Sequence, residues 1–596
     1  MGCGSETTTA TEKRTEKELP ALERARELVC ERRAACAGNG VGVVVGEKGK
    51  RRSGSVLYVT SNYLVNVTVT TKLDENLLIT WAGLRMRRAF WQDGVLGTNC
   101  PIPPNSSWTY KFQVKDQTGS FFYFPSLNLQ RSAGGFGSVI INTLPRVSPP
   151  FDTPYGDIVV FIGDWYKQSH KALRGALDNG TDLGIPDGVL INGKGPYKYK
   201  TEQPFDYEKR INVVPGKTYR IWVHNVGVST CLNFRIQNHD LLLVETEGHY
   251  TAQQSNSSFD IHVGQSYSFL VTVNQSADSD YYIVASPKFV NPNQYQNVIG
   301  VAILYYSNLK GNASDPLPTD PVPPNGVYNT SLAMEQSKPI RQDVNASISG
   351  SSLQGTFNYS DLINSSEVFI LRSTQPVTID GKLRATFNGL SFENPCYPIR
   401  LADQFDKSKD VHNFDFLNAT LPSPRNATSI INGTYNHSMQ LILQNNDTVV
   451  LSFHMDVHSF FVLGIGLGEW TENNTELYNR KDAIWRSTVQ VFPGGWTTVL
   501  IYLDNVGVWN LRAENLDRWY LGQETYMRVV DAHVDNATVF ASMPDNVLYC
   551  GKIENYPKYN NTKPKESLVS IAMGVGHSKL YLTLLVVFSA SISILC

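Results

Sequence analysis

Cysteine is scarce, with eight in 596 residues and no pair at the close spacing of a zinc site. Charge of one sign is missing as well. The 52 Lys and Arg nearly cancel 54 Asp and Glu, leaving a net charge of −2. Such a surface has no field to steer nucleic acid or an acidic polysaccharide, so no nucleic-acid partner is expected. Long helical periodicity is scarce beyond the first fifty residues. No long apolar run occurs before Leu580–Cys596.

Strand formers are plentiful, with 29 Tyr, 26 Phe and 10 Trp. Runs such as Val65-Asn66-Val67-Thr68-Val69-Thr70 alternate apolar with polar, and turn pairs such as Asp93-Gly94 and Pro215-Gly216 recur. An all-β chain of antiparallel sandwiches follows, too long for one core and suited to about three domains.

Four segments carry a more specific message. Asn505-x-Gly507-x-Trp509 opens a stretch that resembles the C-terminal copper signature of multicopper oxidases. The family continues with His-Cys-His, a further His and usually Met. Here those places hold Arg512, Ala513, Glu514, Arg518 and Gln523. Thr80-Trp81-Ala82-Gly83 resembles the family's H-W-H-G with both histidines replaced. Ahead of the framework run Gln130-Arg131-Ser132-Ala133-Gly134, the second histidine pair has become Phe124 and Ser126. Leu451 to His458, L-S-F-H-M-D-V-H, matches H-P-x-H-L-H-G-H. Leu451 then stands for the type 1 His and Asp456 for a trinuclear-site His. Only His454 falls on a ligand place, and one imidazole cannot hold three coppers. His454 and His458 lie about 13 Å apart along a strand, too far to chelate one ion.

The resemblance narrows to plant skewed-growth, or monocopper-oxidase-like, glycoproteins through T-N-C-P-I-P, G-S-F-F-Y-F-P-S, Q-R-S-A-G-G, L-L-L-V-E-T-E-G and W-N-L-R-A-E-N-L. It implies three cupredoxin-like (plastocyanin-like) Greek-key sandwiches. The expected domains are 55–146, truncated at its start, then 157–310 and 328–552, with a Pro-rich linker at 311–327. It also implies a role in cell-wall organisation and directional cell expansion at the outer face of the plasma membrane and in the wall. Wall polysaccharide or wall proteins are the expected partners. With no type 1 ligand and one trinuclear ligand left, no catalytic residue and no copper cofactor are expected. The alternative is a copper-binding oxidoreductase with a reduced or relocated site among His454, Asp456, His458 and Glu514. Arg512 and Arg518 weigh against it, because they are expected to pair with the carboxylates in the emptied cavity.

The resemblance further implies a disulfide between Cys100 and Cys550, while Cys231 and Cys396 read as buried free thiols. Export is supported by eighteen N-x-S/T sequons, at Asn66, Asn105, Asn179, Asn256, Asn274, Asn312, Asn329, Asn345, Asn358, Asn364, Asn418, Asn426, Asn432, Asn436, Asn446, Asn473, Asn536 and Asn560. A polar tail at 553–579 with small residues at Ser570 and Ala572, then apolar 580–596, reads as a GPI signal with Ser570 as the lipidated residue. A plain tail anchor is the rival reading. Residues 1–54 show no signal peptide and read as an atypical, disordered segment: either an aberrant start or the start of a cytosolic isoform.

Overall fold

A computed structural model describes residues 41–45, 56–195, 210–306, 313, 317–318, 330–345, 359–556 and 587–590. Excepted within these are 88, 145–146, 292–293, 296–297, 406, 409–410, 412–413, 417–419 and 532–542. The fold is all-β, and its strands pair into three successive two-sheet units. In the first unit, strands Leu57–Thr60, Gly137–Asn142, Gly119–Pro125 and Ile79–Ala82 form one sheet in that order. The other sheet is built on Leu64–Thr71, which pairs with Ser107–Gln113.

The second unit sets a six-stranded sheet, from His249–Asn256 through Thr218–Asn225 to Gly188–Ile191, beside a five-stranded one that includes Cys231–Ile236 and Tyr281–Lys288. The third unit has a five-stranded sheet centred on Gly495–Tyr502. Its six-stranded partner runs Phe414–Asp415, Ser429–Thr434, Glu524–Val530, Gly507–Ala513, Leu451–Met455, Thr488–Val491.

Alternation in the sequence becomes alternation in burial. Along Leu64–Thr71 every second residue, Val65, Val67, Val69 and Thr71, is buried. Each buried Val contributes roughly 1.5–3 kcal/mol relative to exposure. Trp81, retained from the first copper-motif framework, packs within 5.0–5.6 Å of the rings of Tyr110, Phe112 and Tyr123. It is a core residue here. The first and third units share one contiguous apolar core that runs from Val67 and Trp81 to Phe453 and Trp509, whereas the second has its own around Phe234 and Phe269. Arg400 of the third unit reaches Asp93 of the first at 2.7 Å, and both are buried. Cys100 and Cys550 form a disulfide across 450 residues of chain. Loop closure on that scale stabilises by about 6 kcal/mol in the chain-entropy account.

Two segments differ from expectation. Val41–Val45, inside the stretch read as disordered, is a strand parallel to Leu64–Thr71, with Val41 opposite Val67. Val587–Ala590, inside the apolar tail, pairs in parallel with the same strand, Val587 opposite Leu64. An edge of the Leu64–Thr71 ladder offers open N–H and C=O groups, and β-branched runs suit it. Of the expected linker, Ala313, Leu317 and Pro318 are described. The Pro318 carbonyl accepts Nε and Nη2 of Arg235, so this piece lies against the second unit. The expected lipidation site Ser570 lies outside the described residues.

Candidate functional site

Strands Leu451–Met455 and Gly507–Ala513 are antiparallel neighbours, with His454 opposite Arg512. That register gathers the third unit's replaced ligands at one end of the sheet. Arg512 Nη1 lies 2.9 Å from Asp456 Oδ1, and its Nε lies 3.1 Å from Glu514 Oε1. His454 Nδ1 meets Thr488 Oγ1 at 2.8 Å. His454 Nε2 is 3.1 Å from Asp456 Oδ1, though poorly aligned for a hydrogen bond. All five side chains are buried. Burial works to raise both carboxyls, but the charges outweigh it. Arg512 and His454 hold Asp456 below the usual carboxylate range, and Arg512, Arg131 and His454 do the same for Glu514.

The cluster reaches into both other units. From the first, Arg131 Nη1 contacts Glu514 Oε2 at 2.5 Å, and its Nη2 donates to the carbonyls of Glu514 (2.7 Å) and Gly227 (3.0 Å), the latter in the second unit. Glu514 can lie there because Gly264, with φ +83°, has no side chain; a β-carbon at Gly264 would stand 2.6 Å from Glu514 Cγ. On the far side, Glu247 of the second unit accepts the backbone N–H groups of Ser487 (2.7 Å) and Thr488 (2.9 Å). The polar path from Glu247 through Thr488, His454, Asp456, Arg512 and Glu514 to Arg131 therefore crosses all three units.

Aromatic rings fill what remains. Thr80 pairs with Phe124 and Ala82 with Phe122 across the first unit's strands. Ala82, Phe122, Phe124, Phe136 and Phe161 form one apolar cluster. Arg131 stacks 4.5 Å from the Phe124 ring, and Arg512 stacks 4.5 Å from the Trp519 ring. Ser126 is half-buried and donates to the Gly94 carbonyl at 2.7 Å, outside the charged cluster. Not every polar atom is satisfied: Thr80 Oγ1, Asp456 Oδ2 and Arg512 Nη2 find no hydrogen-bond partner among the described residues.

The type 1 place is different in kind. Leu451 and Ala513 are fully buried in the shared core beside Phe453 and Val491. Gln523 is brought close through the backbone, its carbonyl accepting the Ala513 N–H at 3.0 Å, while its side chain turns to the Thr386 carbonyl at 3.3 Å.

Two expectations are corrected. Arg518 does not enter the emptied cavity; it pairs with Asp447 (2.9 Å) and Asp517 (2.8 Å), acids nearer to it on the rim. Cys396 is exposed, and Cys231 is the one buried free thiol among the described residues. His458 stands apart from His454, against the Trp509 ring at 6.1 Å. Burial pushes its imidazole down to about 4. Sequence reasoning missed Arg131, although it sits inside the quoted framework run; a buried Glu514 requires more positive charge than Arg512 alone supplies. Val457, at the motif's glycine place, was missed too. Its φ of +70° is a strained conformation for a β-branched residue.

Three sandwiches with a ligand region between the first and third define a multicopper oxidase architecture. Sequence profiles described as multicopper oxidase match residues 49–146, 156–309 and 397–535. The structure superposes on Fet3p, a multicopper oxidase that functions in iron import, with TM-score 0.62 and 17% identity over 84% of this chain and 91% of that one. The laccase from Botrytis aclada gives TM-score 0.61 and 18% identity over 85% and 92%. At these identities the likeness speaks to fold alone.

The chain belongs to the plant monocopper oxidase-like family. It is 56% identical over 546 residues to the monocopper oxidase-like protein SKS1 of Arabidopsis thaliana, covering 91% of this chain and 90% of that one. It is 55% identical to SKU5 of the same plant, covering 88% of each. L-ascorbate oxidase of Cucurbita pepo var. melopepo is 30% identical, covering 82% and 90%.

Copper, which the fold implies, does not fit these residues. An ion on His454 or Asp456 would share its donors with a buried guanidinium, a like charge in a medium of low dielectric. At the type 1 place Ala513 has no thiolate and Leu451 no donor atom. Among the described residues no group of three His, Cys, Asp or Glu side chains is arranged to hold a metal ion.

Proposed function

We propose that this chain is a catalytically silent relative of the multicopper oxidases. In this reading it is a glycoprotein at the outer face of the plant plasma membrane, held by a GPI anchor, that acts in cell-wall organisation and directional cell expansion. Its partners are wall polysaccharide or wall proteins, and it has no resident copper. One observation carries the non-catalytic part: Arg512 occupies a ligand place and is bound to two carboxylates there, with both pairs buried.

The surface supports export. Among the described sequons, Asn105, Asn179, Asn256, Asn274, Asn345, Asn364, Asn432, Asn436, Asn446 and Asn473 are exposed, while Asn66 and Asn426 are half-buried. No helix among the described residues is long and apolar enough to cross a membrane. In this reading the anchor is the lipid at Ser570.

The test takes the full chain from plant cells. Release from the membrane by a phosphatidylinositol-specific phospholipase checks the anchor. Copper loading followed by mass spectrometry should find far less than one copper per chain, with no blue absorption band and no oxygen uptake. About one copper per chain, lost in His454→Ala, would instead favour an oxidoreductase with a reduced site.

A further inference from the structure

The backbone of a third cysteine, Cys396, lies against the segment that carries Cys550, where the first unit is sewn to the end of the third. Cys100 and Cys550 are bonded, and Cys396 is free and exposed. The Cys396 carbonyl accepts the Lys552 N–H at 3.1 Å. A β-carbon on Gly551 would lie 2.2 Å from that same oxygen, so the Cys396 backbone touches the residue next to Cys550. Three residues on, the Ile399 N–H donates to the Gly97 carbonyl at 2.8 Å, close in sequence to Cys100. A cavity of about 20 Å³ lined by Thr98, Cys100, Leu401 and Leu548 lies on the same seam.

We propose that Cys396 is the nucleophile of an intramolecular thiol–disulfide exchange at this junction, a site separate from the emptied copper region and independent of the function proposed above. The Cys396 thiolate attacks Sγ of Cys550. The Cys396–Cys550 bond forms as the Cys100–Cys550 bond breaks, and Cys100 leaves as a thiolate that takes up the proton Cys396 gave. One thiol and one disulfide stand on each side, so no outside oxidant or reductant is consumed. Cys550 is the sulfur attacked because it is half-exposed and adjoins Cys396, whereas Cys100 is only 7% exposed. Lys552 brings positive charge to the same strip, its ammonium 5.9 Å from the Tyr397 ring. Exchange converts a staple between units into one within the third and frees the first unit's edge.

The full chain, held at mildly alkaline pH with its thiols unblocked, is quenched, alkylated, digested without reduction and mapped by mass spectrometry. A Cys396–Cys550 peptide should appear together with alkylated Cys100, and the Cys396→Ser variant should lack that peptide. In Cys100→Ser, mild oxidation should join Cys396 to Cys550, with a thermal melt confirming that the variant is folded. Recovery of the Cys100–Cys550 link alone, with Cys396 alkylated throughout, overturns the proposal. So does a Cys100→Ser protein that is folded and keeps both thiols free, or a disulfide-linked dimer through Cys396.

Discussion

The trinuclear place, His454 apart, and the type 1 place both lack the family's ligands, and they are filled in opposite ways. The trinuclear place lies between units, and it now holds Arg131, Asp456, Arg512 and Glu514 in a charged cluster capped by aromatic rings. The type 1 place lies within the third unit and has closed into its apolar core, with Leu451 and Ala513 where donors stood. Location explains the difference. A space inside one sandwich is sealed by hydrophobic packing, which is non-directional. At a seam between three units, paired charges also dictate how the units meet, because a shifted unit leaves a charge buried alone.

If the seam is held this way, removing its central cation has the largest effect. Arg512→Leu leaves Asp456 and Glu514 short of their shared counterion and should cost about 3–5 kcal/mol, read as a lower denaturation midpoint. A loss below about 1 kcal/mol would mean that the cluster adds little to register. The apolar place should answer more mildly. Leu451→Ala opens a cavity and should cost about 2–4 kcal/mol, without altering how stability varies with pH.

Much of this was legible before the structure. Period-two runs such as Leu64–Thr71 give the sheets, and the motif frames locate each replaced ligand in sequence. What could not be read is where a long side chain goes. Arg512 and Arg518 are six residues apart and looked equivalent. Arg512 lies on the strand, opposite His454, and points into the seam, while Arg518 lies on the short helix Leu516–Tyr520 and finds Asp447 and Asp517. Arg131 was invisible because its partner is 383 residues away. The expected disorder at Val41–Val45 failed for a related reason, since a strand's partner is set by an open ladder edge elsewhere in the chain.

Acid separates the two places further. Burial pushes His224 down to about 3, and His262, also subject to Arg486, to about 3. Both stay neutral when folded, whereas the unfolded chain binds protons below about pH 6.5. Each therefore removes up to about 1.4 kcal/mol per pH unit as pH falls from 6.5 toward 3. Asp456 and Glu514 act in the same direction at lower pH, since their depressed values give stability that is lost as they protonate. Glu245 and Glu524, which burial raises to about 7, work oppositely. They favour the folded chain on the acid side and lose that contribution as pH climbs from about 4.3 through 7. Stability should thus be greatest at mildly acidic pH and drop steeply below about pH 4.5. His224→Gln should flatten the drop in urea midpoints between about pH 4.5 and 3, and an unchanged slope would mean that His224 is protonated when folded.

The smallest effect should come from the most drastic change. Replacing Arg131, Asp456, Arg512 and Glu514 together by Met, Leu, Met and Leu removes the four charges of this cluster at once, so none of the four is left unpaired. Buried ion clusters exchanged for apolar groups of similar volume are often neutral, and this one already leaves Asp456 Oδ2 and Arg512 Nη2 unsatisfied. The fourfold variant should lie within about 2 kcal/mol of the parent and show a shallower acid slope than the parent. Its melting should lose sharpness, because fewer directional contacts then specify how the units meet. A fourfold variant as unstable as Arg512→Leu would show that the charged seam is net stabilising. The two refilled places would then differ in chemistry while serving the same end.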